Sequence, residues 1–206
     1  MAVTQTGVPN PELISHGITE KTPDRILLGA GTIFKNLTWD GSGKKWKFDS
    51  VLGATSGGSK FQIKPTYKDV AVDGAHVKVK GLTFKIKEVA TLETSMAEVN
   101  PTIIKEAVNG KIQEAEGIEG YQEVVTKAAL DDTDYMNNIA YVGRTTTGKP
   151  IIIIMGNALC TDGLQIEGKN EDASVIKLKF ESYGDINGDL KTLPVKILYL
   201  KEWGGQ

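Results

Sequence analysis

Some stretches of this chain carry residue types that could do chemistry. Gly53-Ala54-Thr55-Ser56-Gly57-Gly58-Ser59-Lys60 has the glycines, hydroxyls and lysine of a phosphate-binding loop. A phosphate cradle needs Gly-Lys-Ser/Thr running into a helix, so that backbone N–H groups and the ammonium converge on the anion. Here Ser59 precedes Lys60 and Phe61-Gln62-Ile63-Lys64 continues as a strand, so nucleotide binding is not expected. Asp185-Ile186-Asn187-Gly188-Asp189 has the oxygen donors of a calcium loop. Its glycine comes two positions early, however, and the twelfth position is Lys196 where a bidentate Glu is required, so a hairpin turn is expected. Asp131, Asp132 and Asp134 read as a solvated acidic loop. His16 sits in a proline-broken segment and His76 beside a turn, which disfavours a shared metal or a triad. Cys160, within Ala158-Leu159-Cys160, has the surroundings of a buried, inert thiol. No pair of carboxylates is nominated for glycoside chemistry. The expectation is a structural protein: not an enzyme, with no cofactor and no metal.

Composition agrees with that class. The chain has 206 residues, the range of one domain or of one domain with extended arms. Its 40% hydrophobic and 24% charged content is ordinary for a globular protein. A formal net charge of -2 supplies no basic field for tight nucleic-acid binding. A single cysteine excludes an internal disulfide framework and a cysteine-based zinc site. The start Met1-Ala2-Val3-Thr4-Gln5 lacks a signal-peptide pattern, and the longest apolar run, Ile151 to Met155, is far short of the ~20 residues of a spanning helix. The chain is therefore expected to be made in a cytosol and to stay soluble.

The elements that would position these residues read mostly as strands. Residues 1–24 are polar and broken by Pro9, Pro11 and Pro23, an N-terminal arm that stays loose or packs on a neighbour. Residues 25–206 read as one β domain. Arg25 to Phe34 is the first apolar segment, its glycines marking bends or close approach. In Thr38-Trp39-Asp40-Gly41-Ser42-Gly43-Lys44-Lys45-Trp46-Lys47, Asp40-Gly41 is a hairpin-turn signal between two tryptophans. From there to Lys60 the chain reads as a long polar loop or hairpin: a surface hairpin with solvated lysines, or an arm reaching another subunit with the two Trp as anchors.

Beyond His76, Val77 and Val79 alternate with Lys78 and Lys80, then Leu82, Phe84 and Ile86 take over with shifted parity, placing a bulge or bend at Gly81. The lysines are expected to face out and blunt an edge strand. Asn100-Pro101 opens the one well-signalled helix, with Ile103, Ile104, Ala107 and Val108 on one face and Gly110 as its stop. Such a short helix must pack on a sheet. Glu123 to Thr126, Ile139 to Val142, Ile151 to Ile154, Val175 to Phe180 and Val195 to Tyr199 read as further strands, the third apolar on both faces and hence central. Many strands with antiparallel turn spacing and one short helix predict a mainly β fold, a β-sandwich or barrel flanked by the helix.

Four stretches carry a family resemblance: Leu52 to Phe61, Val72-Asp73-Gly74-Ala75, Leu92 to Pro101 running into the helix, and Asn157-Ala158-Leu159 before a late alternating strand. In order and spacing they resemble the major tail protein, or tail tube protein, of long-tailed bacteriophages, especially phages and prophages of Gram-positive bacteria. The similarity covers residues 25 to 200, and the immunoglobulin-like extension that some members carry is not expected here. The resemblance implies a sandwich or barrel related to the tube subunit of type VI secretion systems, assembled into hexameric rings that stack as the conduit for DNA ejection. It implies a virion location, with the host cytoplasm during assembly, and no membrane. The implied partners are other copies of the chain and tape measure, tail-tip and tail-terminator proteins, with DNA passing the lumen without specific binding.

Carried onto this sequence, the bridge between rings is Thr38 to Lys60, with Trp39, Asp40, Lys44, Lys45, Trp46, Phe48, Ser56, Gly57 and Gly58. The arm around Pro9, Pro11, Leu13 and Ile14 is the second candidate. Deleting residues 42–58 is expected to leave a folded monomer that cannot stack. The alternative from another class is a carbohydrate- or surface-binding β-sandwich using Trp39, Trp46 and Trp203 as stacking platforms.

Overall fold

A computed structural model describes residues 17–169 and 172–203. The expected arm residues Pro9, Pro11, Leu13 and Ile14, and His16, lie outside the described residues. Over the described residues the protein is mainly β, with a large antiparallel sheet and one short α-helix.

Strand β1, Leu27–Lys35, runs from an exposed start into the buried pair Ile33 and Phe34. A small hairpin follows, β2 (Thr38–Asp40) and β3 (Lys45–Lys47). Then come two long strands, β4 (Thr55–Asp69) and β5 (Thr83–Met96). After the helix α1, Pro101–Val108, a second hairpin is formed by β6 (Lys111–Glu114) and β7 (Gln122–Val125). The remaining strands are β8 (Met136–Thr145), β9 (Pro150–Cys160), β10 (Ile166–Lys169), β11 (Asp172–Ser182) and β12 (Val195–Tyr199). The main sheet has the order β1-β8-β9-β11-β5-β4, with β10 added to β11 and β12 to β9. As its apolar run predicts, β9 is central, flanked by β8 on one side and by β11 and β12 on the other.

The sheet curls until its ends meet. The segment entering β4 hydrogen-bonds to β1: Lys35 N–H donates to the Ser50 carbonyl and Leu52 N–H to the Ile33 carbonyl, both at 2.9 Å. Inside this partly closed barrel, period-2 patterning buries one face of each strand. Ile176, Leu178 and Phe180 of β11 meet Leu92 and Met96 of β5, with Ile33, Ile139 and Met155 opposite. Burying a side chain of Phe180's size is worth about 1.5–3 kcal/mol. A smaller cluster of Phe34, Leu37, Ala140 and Ile152 lies on the other face, covered in part by Trp46 of β3.

Helix α1 forms where its caps allow. The Asn100 side chain accepts the Ile103 N–H at 2.9 Å, Pro101 occupies the first turn, and Ile103 and Ala107 are fully buried. The expected stop at Gly110 is corrected by one residue: Asn109 takes the left-handed conformation at φ 48°, and Gly110 N–H closes on the Lys105 carbonyl. Asn tolerates that conformation because its short side chain bonds locally, and here it also donates to the Cys160 carbonyl at 2.9 Å. On the same helix Glu106 is buried, its Oε1 accepting from Lys35 at 2.6 Å and Lys105 at 3.1 Å. That pairing ties α1 to β1.

Candidate assembly interface

The residues singled out for possible chemistry lie in strand pairs, bulges and turns. In β4, Ser59 Oγ meets Thr94 Oγ1 at 3.0 Å and Lys60 pairs with Glu93, both across the ladder to β5. Gly57 and Gly58 adopt positive φ where the β4–β5 register slips between Thr55 and Ser59. Such a bulge is the use of paired glycines here. Gly53, at φ 151°, is closely approached: a Cβ there would sit 3.0 Å from Met96 Cε, 3.1 Å from Glu98 Oε2 and 3.2 Å from Ile103 Cδ1.

The acidic loop is a capped turn. Asp131 accepts from Thr133 N–H, Asp134 accepts from Asp131 N–H, and Lys127 bonds both carboxylates at 2.8 and 2.6 Å. The Lys127 ammonium first, and then the Thr133 donors, hold the Asp131 carboxyl down to about 2. Asp185 accepts from Asn187 N–H, and Asp189 accepts from Lys191 N–H and Thr192, as turn residues do. Cys160 is buried, and that burial pushes its thiol above the usual range. Among the described residues, no group of three His, Cys, Asp or Glu side chains is placed to hold a metal, and no helix is long and apolar enough to cross a membrane.

The stretch 38–60 is divided, not one loop. Trp39 and Trp46 face each other across β2–β3, ring centroids 5.2 Å apart and near edge-on. Asp40 Oδ1 accepts from the N–H groups of Ser42 and Gly43 and so caps the turn, Lys44 lies in the left-handed region at φ 48°, and Lys45 is Asp40's cross-strand neighbour. Phe48 packs on Phe34 at 5.2 Å but keeps about half its surface exposed. Ser56, Gly57 and Gly58 belong to β4. Residues 50–52 close the barrel and Leu52 is in the core, so a 42–58 deletion removes structural residues; the expectation of a folded monomer from it is corrected on that ground.

The projecting element lies further on. β11 pairs with β5 only from Thr91 to Met96, and β4 accompanies β5 alone from Lys64 to Asp69. The two strands therefore leave the barrel as a ribbon about 20 Å long, before the turn at residues 70–82. The alternating Val77 and Val79, read as strand, belong to that turn; pairing resumes only at Thr83. The Lys78 ammonium at 2.7 Å and the Thr83 hydroxyl at 2.6 Å grip Asp69 at its base. The apolar residues of the ribbon are in solvent: Tyr67 is 60% exposed, Phe84 52%, Ile86 60% and Val77 78%. A β-bulge opposite Thr66 and Tyr67 twists it. Between the outer half of β5 and residues 181–193 lies an open groove of about 870 Å³, lined among others by Ile86, Val89, Tyr183 and Leu190.

The β6–β7 hairpin is the second exposed projection. Its turn shows Ile118 and Tyr121 to solvent beside Glu114, Glu116 and Glu119. Sequence reading found the β7 strand but gave this hairpin no role.

No family model and no curated protein sequence matches the chain. Among solved structures, the anti-feeding prophage baseplate, determined by cryo-EM and 6-fold symmetrised, is similar at 11% identity and a TM-score of 0.41, over 84% of this chain and 97% of that one.

Proposed function

We propose that the chain is a non-catalytic virion subunit of a phage tail tube, in which hexameric rings stack into the conduit for DNA ejection. The observation that carries this reading is the β4–β5 ribbon. It has open strand edges and exposes Tyr67, Phe84 and Ile86. Its lysines, Pro65 and bulge blunt backbone pairing along the edge, so the exposed apolar side chains are what call for a covering surface. In an assembly a neighbouring subunit supplies it. The motifs at Leu52 to Phe61 and Val72 to Ala75, which resemble those of tail tube proteins, fall at the bulged start of β4 within the barrel and at the turn that ends the ribbon.

In this role Trp39, Lys44, Lys45 and Phe48 are available on the barrel's flank as a second contact between copies. Tape measure, tail-tip and tail-terminator proteins are the further partners of such a tube, and its lumen passes DNA without binding it specifically. The test is negative-stain electron microscopy of purified protein across a concentration series with sedimentation, repeated with a tail-tip complex as seed. Hollow tubes or six-membered rings are expected. A monomer that stays dispersed even with the seed, or one that binds glycans instead, overturns the proposal.

A further inference from the structure

Formal charge is divided unevenly along the chain. Residues 60–90, the ribbon and its turn, hold seven lysines against Asp69, Asp73 and Glu88, a charge of +4 (7 minus 3) in a chain of net -2. Residues 111–125, the β6–β7 hairpin, hold Lys111 against four glutamates, a charge of -3 (1 minus 4). Lys60, Lys78 and Lys85 have carboxylate partners. Lys64, Lys68, Lys80 and Lys87 have no ion-pair partner among the described residues, and neither do Glu116 and Glu119. Each projection also exposes apolar side chains amid its charges: Tyr67, Phe84 and Ile86 on one, Ile118 and Tyr121 on the other.

We infer that the lysine-rich ribbon of one copy docks on the acidic β6–β7 hairpin of the next copy. This rests on the assembly reading above and names the two surfaces that meet. An apolar centre with a charged rim is the usual anatomy of a specific interface, and opposite rims fix partner and register. The two projections are attached at opposite ends of β5: the ribbon's turn precedes Thr83, and α1 with the β6–β7 hairpin follows Met96. Unlike surfaces that join head to tail build a ring where the rotation closes and a filament where it does not. Within one chain the unpaired lysines repel one another, so the ribbon gains on meeting carboxylates. The rim charges are exposed, so added salt screens the contact.

Two triple variants of the full chain test it: Lys64→Glu, Lys68→Glu, Lys87→Glu, and Glu114→Lys, Glu116→Lys, Glu119→Lys. Each alone presents like-charged surfaces and is expected to raise the critical concentration for assembly by about tenfold or more. Mixed in equal amounts, the two are complementary at every contact of a stack in which they alternate, and assembly is expected to return to within a few-fold of the wild type. Rescue on mixing cannot come from misfolded chains. If either triple variant polymerises alone as the wild type does, or the folded pair stays dispersed on mixing, the inference is overturned while tube formation by the wild type stands. Loss of DNA retention in the lysine variant with assembly intact overturns it in favour of a nucleic-acid surface. A wild-type chain that never assembles, even when seeded, sinks both. A salt series on the wild type adds a check that needs no variant: a critical concentration unchanged between low and high salt overturns the docking.

Discussion

The bond between Lys35 and Glu106 is where the helix meets the barrel, and its strength can be worked out. Glu106 is 3% exposed and its Oε1 receives two ammonium donors, Lys35 at 2.6 Å and Lys105 at 3.1 Å, each about a quarter exposed. A hydrogen bond to a charged group contributes about 1.5–3 kcal/mol, whereas an exposed pair gives at most about 1. Glu106→Leu frees two lysines that reach water by rotating outward, so its cost lies near about 2 kcal/mol. Lys35→Met leaves the buried carboxylate with Lys105 alone, at a similar cost. Because both variants remove the same contact, the double variant should cost clearly less than the sum, with a coupling of about 1–2 kcal/mol. Urea denaturation of the four proteins measures this, and each single change should lower Tm by about 4–8 °C for a chain of this size. Additive losses, with a coupling below about 0.3 kcal/mol, would refute the argument that this bond holds α1 against β1.

Gly53→Ala forces a Cβ against Met96 and Ile103 and strains a backbone at φ 151°, and should destabilise by about 1–3 kcal/mol by denaturant titration; a neutral change would contradict the close packing there. The folded-state carboxyl of Asp131 lies near 2, below its ordinary value of 3.8, so the stability it contributes is present above about pH 4 and lost as pH falls towards 2. Lys127→Met should therefore narrow its stability gap to the wild type as pH drops from 4 to 2, and a constant gap through that range would dismiss the assignment. Phe84→Ser with Ile86→Ser should leave the unfolding midpoint almost unmoved, within about 0.5 kcal/mol, because both side chains are exposed. The same pair should abolish tubes in electron micrographs, and normal tubes would remove the ribbon from the interface.

The β class, the central β9, the capped helix and the inward set Ile176, Leu178 and Phe180 were legible because each follows from local pattern: period 2, an Asn-Pro cap, an apolar run. The ribbon was not. Alternation at Val77 and Val79 and at Phe84 and Ile86 looks the same whether the apolar face meets a core or a neighbouring subunit, since sequence periodicity reports which face is apolar and not what covers it. Length was the available signal. Strands of 15 and 14 residues exceed the usual 5–6 by far more than a barrel of this size can cover, and the excess must extend beyond it. The stretch Thr38 to Lys60 misled for the opposite reason. Its glycines and lysines have the composition of a free loop, yet Leu52 fills the core and Trp46 covers Phe34 and Leu37. Glu106 was invisible because a glutamate in a helix is ordinarily solvated, and only the fold brings Lys35, 71 positions away, to within 2.6 Å of it. The long-range contacts hold the barrel rigid, which lets β4 and β5 extend past it as a paired ribbon whose exposed apolar face is left for another chain to bury.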